Sequence, residues 1–219
     1  MAEDEGKTRV SILDSATEVF MEVGFSGARV DEIARRAEAN KAMIYYHFGS
    51  KLGLYKAVLL RLFGGVLDEI DRLRESKLGP EARLRALYIR VARHFEEKPA
   101  LPHIILREIL AGGKTMDAEA SRTLGQIIGF VSETLQEGAR TGAFRGVHPL
   151  LFHLTMLGPM LLHFAGTSFR ERILPRQMPG LLSSSNEDML HHLLDVLGRS
   201  LAPATTQGLR PQVAKRKTK

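Results

Sequence analysis

Cysteine and tryptophan are absent from all 219 residues. Disulfides, thiolate metal centres and cysteine nucleophiles are thereby excluded, which fits a reducing compartment. Runs of β-branched residues with alternating polarity are missing as well, whereas apolar residues recur at intervals of three and four along the chain. An all-α protein is expected. Long apolar runs are scarce too: the most apolar segment, Leu150 to Phe164, carries His153, Pro159 and His163 and falls short of the ~20 residues that cross a bilayer. Met1 to Lys7 is polar and acidic, without the basic and apolar regions of a secretory leader. A cytoplasmic chain without membrane association is expected.

With 44% hydrophobic and 26% charged residues, the chain can bury a sizeable core, and disorder throughout is excluded. The net charge of +6 is unevenly placed, since Arg210, Lys215, Arg216, Lys217 and Lys219 lie near the end with no acidic residue among them. Residues 202–219 read as a disordered basic tail, and the rest of the chain is nearly neutral. Nucleic-acid binding therefore has to be argued from local arrangement and not from total charge.

Apolar stripes and punctuation give about nine helices. Ile12, Ala16, Val19, Phe20 and Val23 lie on one face of a first helix, about Lys7 to Val23, that Gly24 ends. Val30, Ile33, Ala34 and Ala37 mark a short second helix with Asp31 and Glu32 in its first turn. Helix three runs from Lys41 to Phe48, and Ser50 caps a long helix from Lys51 to about Arg74. Further helices are expected at Glu81 to Glu97, Ala100 to Ala111, Asp117 to Arg140, Leu150 to Phe164 and Asn186 to Leu201, between Gly- and Pro-rich breaks. No internal repeat signals a solenoid.

The short second and third helices, about three residues apart, have the layout of a helix-turn-helix, whose latter helix enters the DNA major groove. Within Lys41 to Phe48, Ile44 and Phe48 can pack inward while Lys41, Ala42, Tyr45 and Tyr46 point outward. Between Arg29 and Lys56 the basic residues exceed the acidic ones by three. Arg35, Arg36 and Lys56 read as a solvated face and not as base readers.

These residues resemble the amino-terminal pattern of the TetR family of bacterial transcription regulators. The resemblance is carried by Ile12-Leu13, Ala16, Phe20 and Gly24-Phe25, by Val30, Ile33-Ala34 and Ala37, and by Tyr45-Tyr46-His47-Phe48, Ser50-Lys51 and Leu54. It covers roughly the first quarter of the chain. Beyond it, Arg107-Glu108 near Gly112-Gly113 and the stretch from Gly138 to Arg145 are similar in layout. Glu38 departs from the family, which usually has glycine in that turn, so a positive φ there would be strained.

The resemblance implies that Lys41, Ala42, Met43 and Tyr45 face base edges, and that Arg29, Tyr46, His47 and Lys51 face phosphates of double-stranded DNA. It also implies two parts: residues 1–50 as the DNA-binding domain, and residues 51–201 as a ligand-binding and dimerisation domain entered through the fourth helix. A small, largely apolar effector is expected among Phe95, Ile104, Ile105, Ile127, Phe130, Val131 and Leu157. The pair Arg107 and Glu108 can add one polar group to this pocket, and Arg107 completes the expected lining. The homodimer is expected to form through residues 150–164 and 186–201 and to bind an inverted-repeat operator, most simply as a repressor that the effector releases.

No cofactor or metal is expected, because no pair on one face with a carboxylate stands out among His153, His163, His191 and His192, and no phosphate-cradling glycine loop is present. The chain is not expected to be an enzyme. Two other classes would reveal themselves differently. A small helical enzyme would depend on Glu108 and not on Tyr45, and an architectural DNA-coating protein would bind most sequences equally, chiefly through the tail.

Overall fold

The computed structural model describes residues 2–116, 118–173 and 184–203. Among them the chain forms ten helices and no strand: α1 Ala2–Gly27, α2 Val30–Arg36, α3 Lys41–Phe48, α4 Lys51–Glu75, α5 Pro80–Glu97, α6 Ala100–Leu110, α7 Ala118–Arg140, α8 Pro149–Ala165, α9 Thr167–Ile173 and α10 Asn186–Leu201. Asp117 and residues 204–219, which include all five basic residues of the expected tail, lie outside the described residues.

The apolar stripe of α1 buries Ile12, Leu13, Ala16, Val19 and Phe20 against α2, α4 and α6. Gly24 breaks α1 as expected, with φ 70° and ψ 178°, a conformation that only glycine adopts without strain. One further turn then carries the helix to Gly27, beyond the expected end at Val23. The start also lies earlier, at Ala2 instead of Lys7. α4 is the spine: its first turns pack on α1 and α3, and its later turns pack on α5 and α7. Its cap is the expected one, with Ser50 Oγ accepting the Gly53 N–H at 3.0 Å.

α8 is apolar on two sides. Phe152, Met156, Met160 and Leu161 are buried, whereas Leu150, Leu151, Leu154 and Leu162 remain exposed. α10 starts at Asn186 as expected, from a capping box in which Ser185 Oγ accepts the Asp188 N–H and the Asp188 carboxylate accepts the Ser185 N–H. α9 was not expected. It buries no residue and therefore has no apolar stripe to read, and Arg170 anchors it by donating to the Leu162 and His163 carbonyls at the end of α8. No single helix among the described residues is long and apolar enough to cross a membrane.

Candidate DNA-reading helix and ligand cavity

The turn between α2 and α3 is closed by backbone bonds and one side chain. The Ala37 N–H donates to Ile33 O at 2.9 Å, and the Ala39 N–H donates to Ala34 O at 3.0 Å. Asn40 then caps α3 by accepting the Ala42 N–H at 2.9 Å. Glu38 sits in this turn with φ 51°, the positive value that its departure from glycine anticipated. On the opposite side of α2, Arg35 and Arg36 both donate to Glu32, and Arg36 also holds Glu22 at 2.7 and 2.8 Å. These pairs hold the Glu32 carboxylate down at about 2 and engage both arginines along α2.

Ile44 anchors α3 in the core and Phe48 is half-buried, as the division of faces requires. Lys41, Ala42, Tyr45 and Tyr46 are exposed, Tyr46 to 71%. Met43, also expected to face bases, is half-buried and packs partly on the core. Lys41 Nζ pairs with Asp31 at 2.8 Å, which raises the lysine pKa and lowers that of the aspartate. The pair is exposed, so its exchange for another acceptor costs little.

Among the residues expected to face phosphates, Arg29 is exposed just before α2. The His47 ring meets Tyr46 edge-on at 5.1 Å, and its Nε2 is buried without a partner. Lys51 Nζ lies 4.6 Å above the Phe25 ring and 3.5 Å from Ser26 O, and desolvation there pulls its pKa down. Phe25 thus holds the ammonium beside the start of α4, a cation–π contact that the sequence spacing did not disclose.

Behind this surface lies a small cleft of about 210 Å³, lined mostly by apolar side chains of α4, α6 and α7 and closed by Gly112, Gly113 and Met116. Of the residues expected around the effector, Ile104 and Ile105 line this cleft. Phe95, Ile127, Phe130, Val131 and Leu157 are not among its lining residues; the first four are buried in the core and Leu157 is half-buried against it. Arg107 does not line it either. Its guanidinium donates to Glu22 O at 2.7 Å, and its stem lies over Gly24. The polar group in the cleft is the neighbouring Glu108, buried to 6% exposure, because successive residues on a helix point about 100° apart.

Glu108 Oε1 accepts the Tyr55 hydroxyl at 2.6 Å and also the Thr115 hydroxyl. Burial first, and then this bond, push the Tyr55 pKa far up. The Tyr55 ring packs edge-on against Phe20 at 4.8 Å and against Phe25 at 5.2 Å. The chain from Glu108 through Tyr55 therefore ends on α1, beside Lys51. A second buried pair, His153 Nδ1 and the Tyr88 hydroxyl at 3.1 Å, links α8 to α5, and burial pulls the His153 pKa down to about 4. That histidine is a neutral core residue, whereas His163 reaches Asn186 at 2.9 Å.

A helix-turn-helix with two exposed tyrosines, mounted on a helical body with an apolar cleft, defines a DNA-binding regulator. Residues 12–58 match the family described as bacterial regulatory proteins of the tetR family, and residues 80–202 match the tetracyclin repressor-like C-terminal domain. The chain belongs to the TetR family of DNA-binding transcriptional regulators. It is 32% identical to the transcriptional repressor NicS of Pseudomonas putida over 148 residues, which span 66% of this chain and 69% of the relative. Two solved structures share the fold. A putative fatty acid metabolism regulator of Clostridium perfringens has a TM-score of 0.73 at 18% identity, over 88% of this chain and 98% of that one. The regulator FadR of Bacillus subtilis, in complex with stearoyl-CoA, has a TM-score of 0.64 at 17% identity over the same shares.

Proposed function

We propose that this protein is an effector-responsive repressor that binds an inverted-repeat operator as a homodimer. The observation that carries the reading is α3 itself, which buries Ile44 and leaves Lys41, Ala42, Tyr45 and Tyr46 outside. A helix this short reads few base pairs, and two-fold symmetry doubles the reading. Residues 1–50 are the DNA-binding unit, in which Lys41, Ala42, Met43 and Tyr45 contact bases and Arg29, Tyr46, His47 and Lys51 contact phosphates. The exposed leucines of α8 support pairing through α8 and α10, since an apolar stripe on an already packed helix is suited to a partner. NicS supports the repressor reading by its own description.

FadR of Bacillus subtilis holds an acyl-CoA, which supports a small-molecule effector here too. The cleft of about 210 Å³ calls for a far more compact one. The bond from Glu108 in this cleft to Tyr55, whose ring packs on α1, supports an occupancy that lowers operator affinity.

Selection from random duplex DNA with the full chain tests this reading, and an inverted repeat is expected. On the selected site, Tyr45→Ala should lower discrimination against mismatches by about 1–3 kcal/mol, whereas Lys51→Ala should weaken all sequences alike and reduce the salt slope by about one. Equal losses on selected and random DNA for both variants would refute the assigned roles, and recovery of unrelated sequences would point to architectural coating instead.

A further inference from the structure

Among the described residues, three buried side-chain polar atoms lack a hydrogen-bond partner: His47 Nε2, Arg83 Nε and Glu108 Oε2. Glu108 alone of these residues lines the apolar cleft. Its two oxygens are treated unequally: Oε1 accepts both Tyr55 and Thr115, whereas Oε2 accepts nothing. A buried carboxylate with one bare oxygen is costly, because charge in an apolar setting requires a counter-charge or a donor. Among the described residues none is provided. Arg107, the adjacent cation, is committed to Glu22 O, Lys114 is exposed, and no salt bridge reaches Glu108 among the described residues.

The other walls, which include Leu59, Phe63, Ile104, Ile105, Met116 and Leu124, offer no side-chain hydrogen-bonding group beyond the thioether of Met116. A complementary ligand therefore carries one hydrogen-bond donor and is otherwise apolar, and a cationic donor also supplies the missing counter-charge. An anionic head group would meet a like charge with no basic side chain among the residues that line the cleft.

We propose that the effector is a compact apolar amine whose ammonium displaces the side chains covering Glu108 Oε2 and donates to it, while its hydrocarbon fills the space between α4, α6 and α7. The assignment rests on the reading of this cleft as the effector site. It makes Glu108 the specificity-determining residue, and it places the bound charge one carboxylate away from the Tyr55 hydroxyl.

The test is calorimetric titration of the full chain with hexylamine, hexanol and hexanoate, which share a chain length and differ in head group. Hexylamine should bind about ten-fold or more tighter than hexanol, the ratio expected for a charge-assisted bond, and hexanoate should be weakest. Glu108→Gln should bring hexylamine down to the level of hexanol. Should that variant fail to fold, Met116→Trp fills the cleft while keeping Glu108, Tyr55 and Thr115 in the chain, and it should abolish binding of both hexylamine and hexanol. Hexanoate binding as tightly as hexylamine, an amine preference that survives Glu108→Gln, or hexylamine binding that survives Met116→Trp would each overturn the proposal. Operator binding is measured in parallel with an acyl thioester as a fourth compound. DNA release by the thioester with no hexylamine binding defeats the amine assignment and leaves the regulator standing, whereas loss of all sequence-specific DNA binding defeats the regulator reading itself.

Discussion

Glu38 holds a left-handed backbone conformation, φ 51°, in the turn that sets the angle between α2 and α3. An L-residue loses roughly 1–2 kcal/mol there relative to the right-handed region, while glycine escapes the clash but sacrifices more chain entropy on folding. The steric effect is the larger of the two because the side chain of Glu38 is exposed and makes no hydrogen bond or ion pair that would be lost. Glu38→Gly should therefore raise stability by about 1 kcal/mol, read as a higher denaturant midpoint at unchanged slope; a lower midpoint would mean that the turn gains from glutamate. The strain was legible through the resemblance, because the family usually has glycine in that turn. The polar residue of the cleft was not: a pattern of charges marks Arg107 and Glu108 equally, and only the path of α6 past α1 decides which of them turns inward. Phe25 beneath Lys51 was hidden for the same reason, since the two residues are 26 positions apart and meet only once α4 docks on α1.

The helices were legible wherever one face is buried. α2 through α8 and α10 begin and end within a residue or two of their expected limits, because stripe, cap and breaker all coincide there. α9 escaped because none of its residues is buried. The junction of α3 and α4 shows a closer constraint. A methyl group at Gly53 would lie 2.0 Å from Phe48 O, so the reading helix can dock on the spine only because that position has no side chain. Alanine favours a helix by about 1 kcal/mol over glycine, but a clash with a backbone oxygen costs about 1–3 kcal/mol and displaces α3. Gly53→Ala should thus lose about 1–2 kcal/mol net in denaturant unfolding and weaken operator binding. At Gly125 on α7, where no atom lies within 4 Å of the added methyl, the same exchange should gain about 0.5–1 kcal/mol. Stabilisation of both variants would show that α3 relaxes away from Phe48 O at no cost.

At the scale of the molecule, α6 touches the amino-terminal helices at two neighbouring residues on different faces. Arg107 bonds the carbonyl of Glu22 in α1, and Glu108 bonds Tyr55, whose ring is wedged between Phe20 and Phe25. A ligand that recruits the Glu108 carboxylate therefore competes with, or reorients, the bond that tells α4 and α1 where α6 lies. Such a ligand can shift the DNA-binding geometry only by its differential affinity for the two states, and couplings of about 1–3 kcal/mol are ordinary. Tyr55→Phe isolates this path, because it retains the ring between the two phenylalanines and deletes only the hydroxyl. The variant should bind operator as the parent does, and it should take up hexylamine at Glu108 with similar affinity. The factor by which hexylamine weakens operator binding should fall by about half or more on the free-energy scale. Linkage requires the same decrease from the other side, so saturating operator should perturb hexylamine affinity less in Tyr55→Phe than in the parent. Both directions are read by titrating amine with and without DNA, and operator with and without amine. If the two factors agree with each other but stay at the parent value, coupling runs through Arg107 and the end of α1 instead of through the Tyr55 hydroxyl.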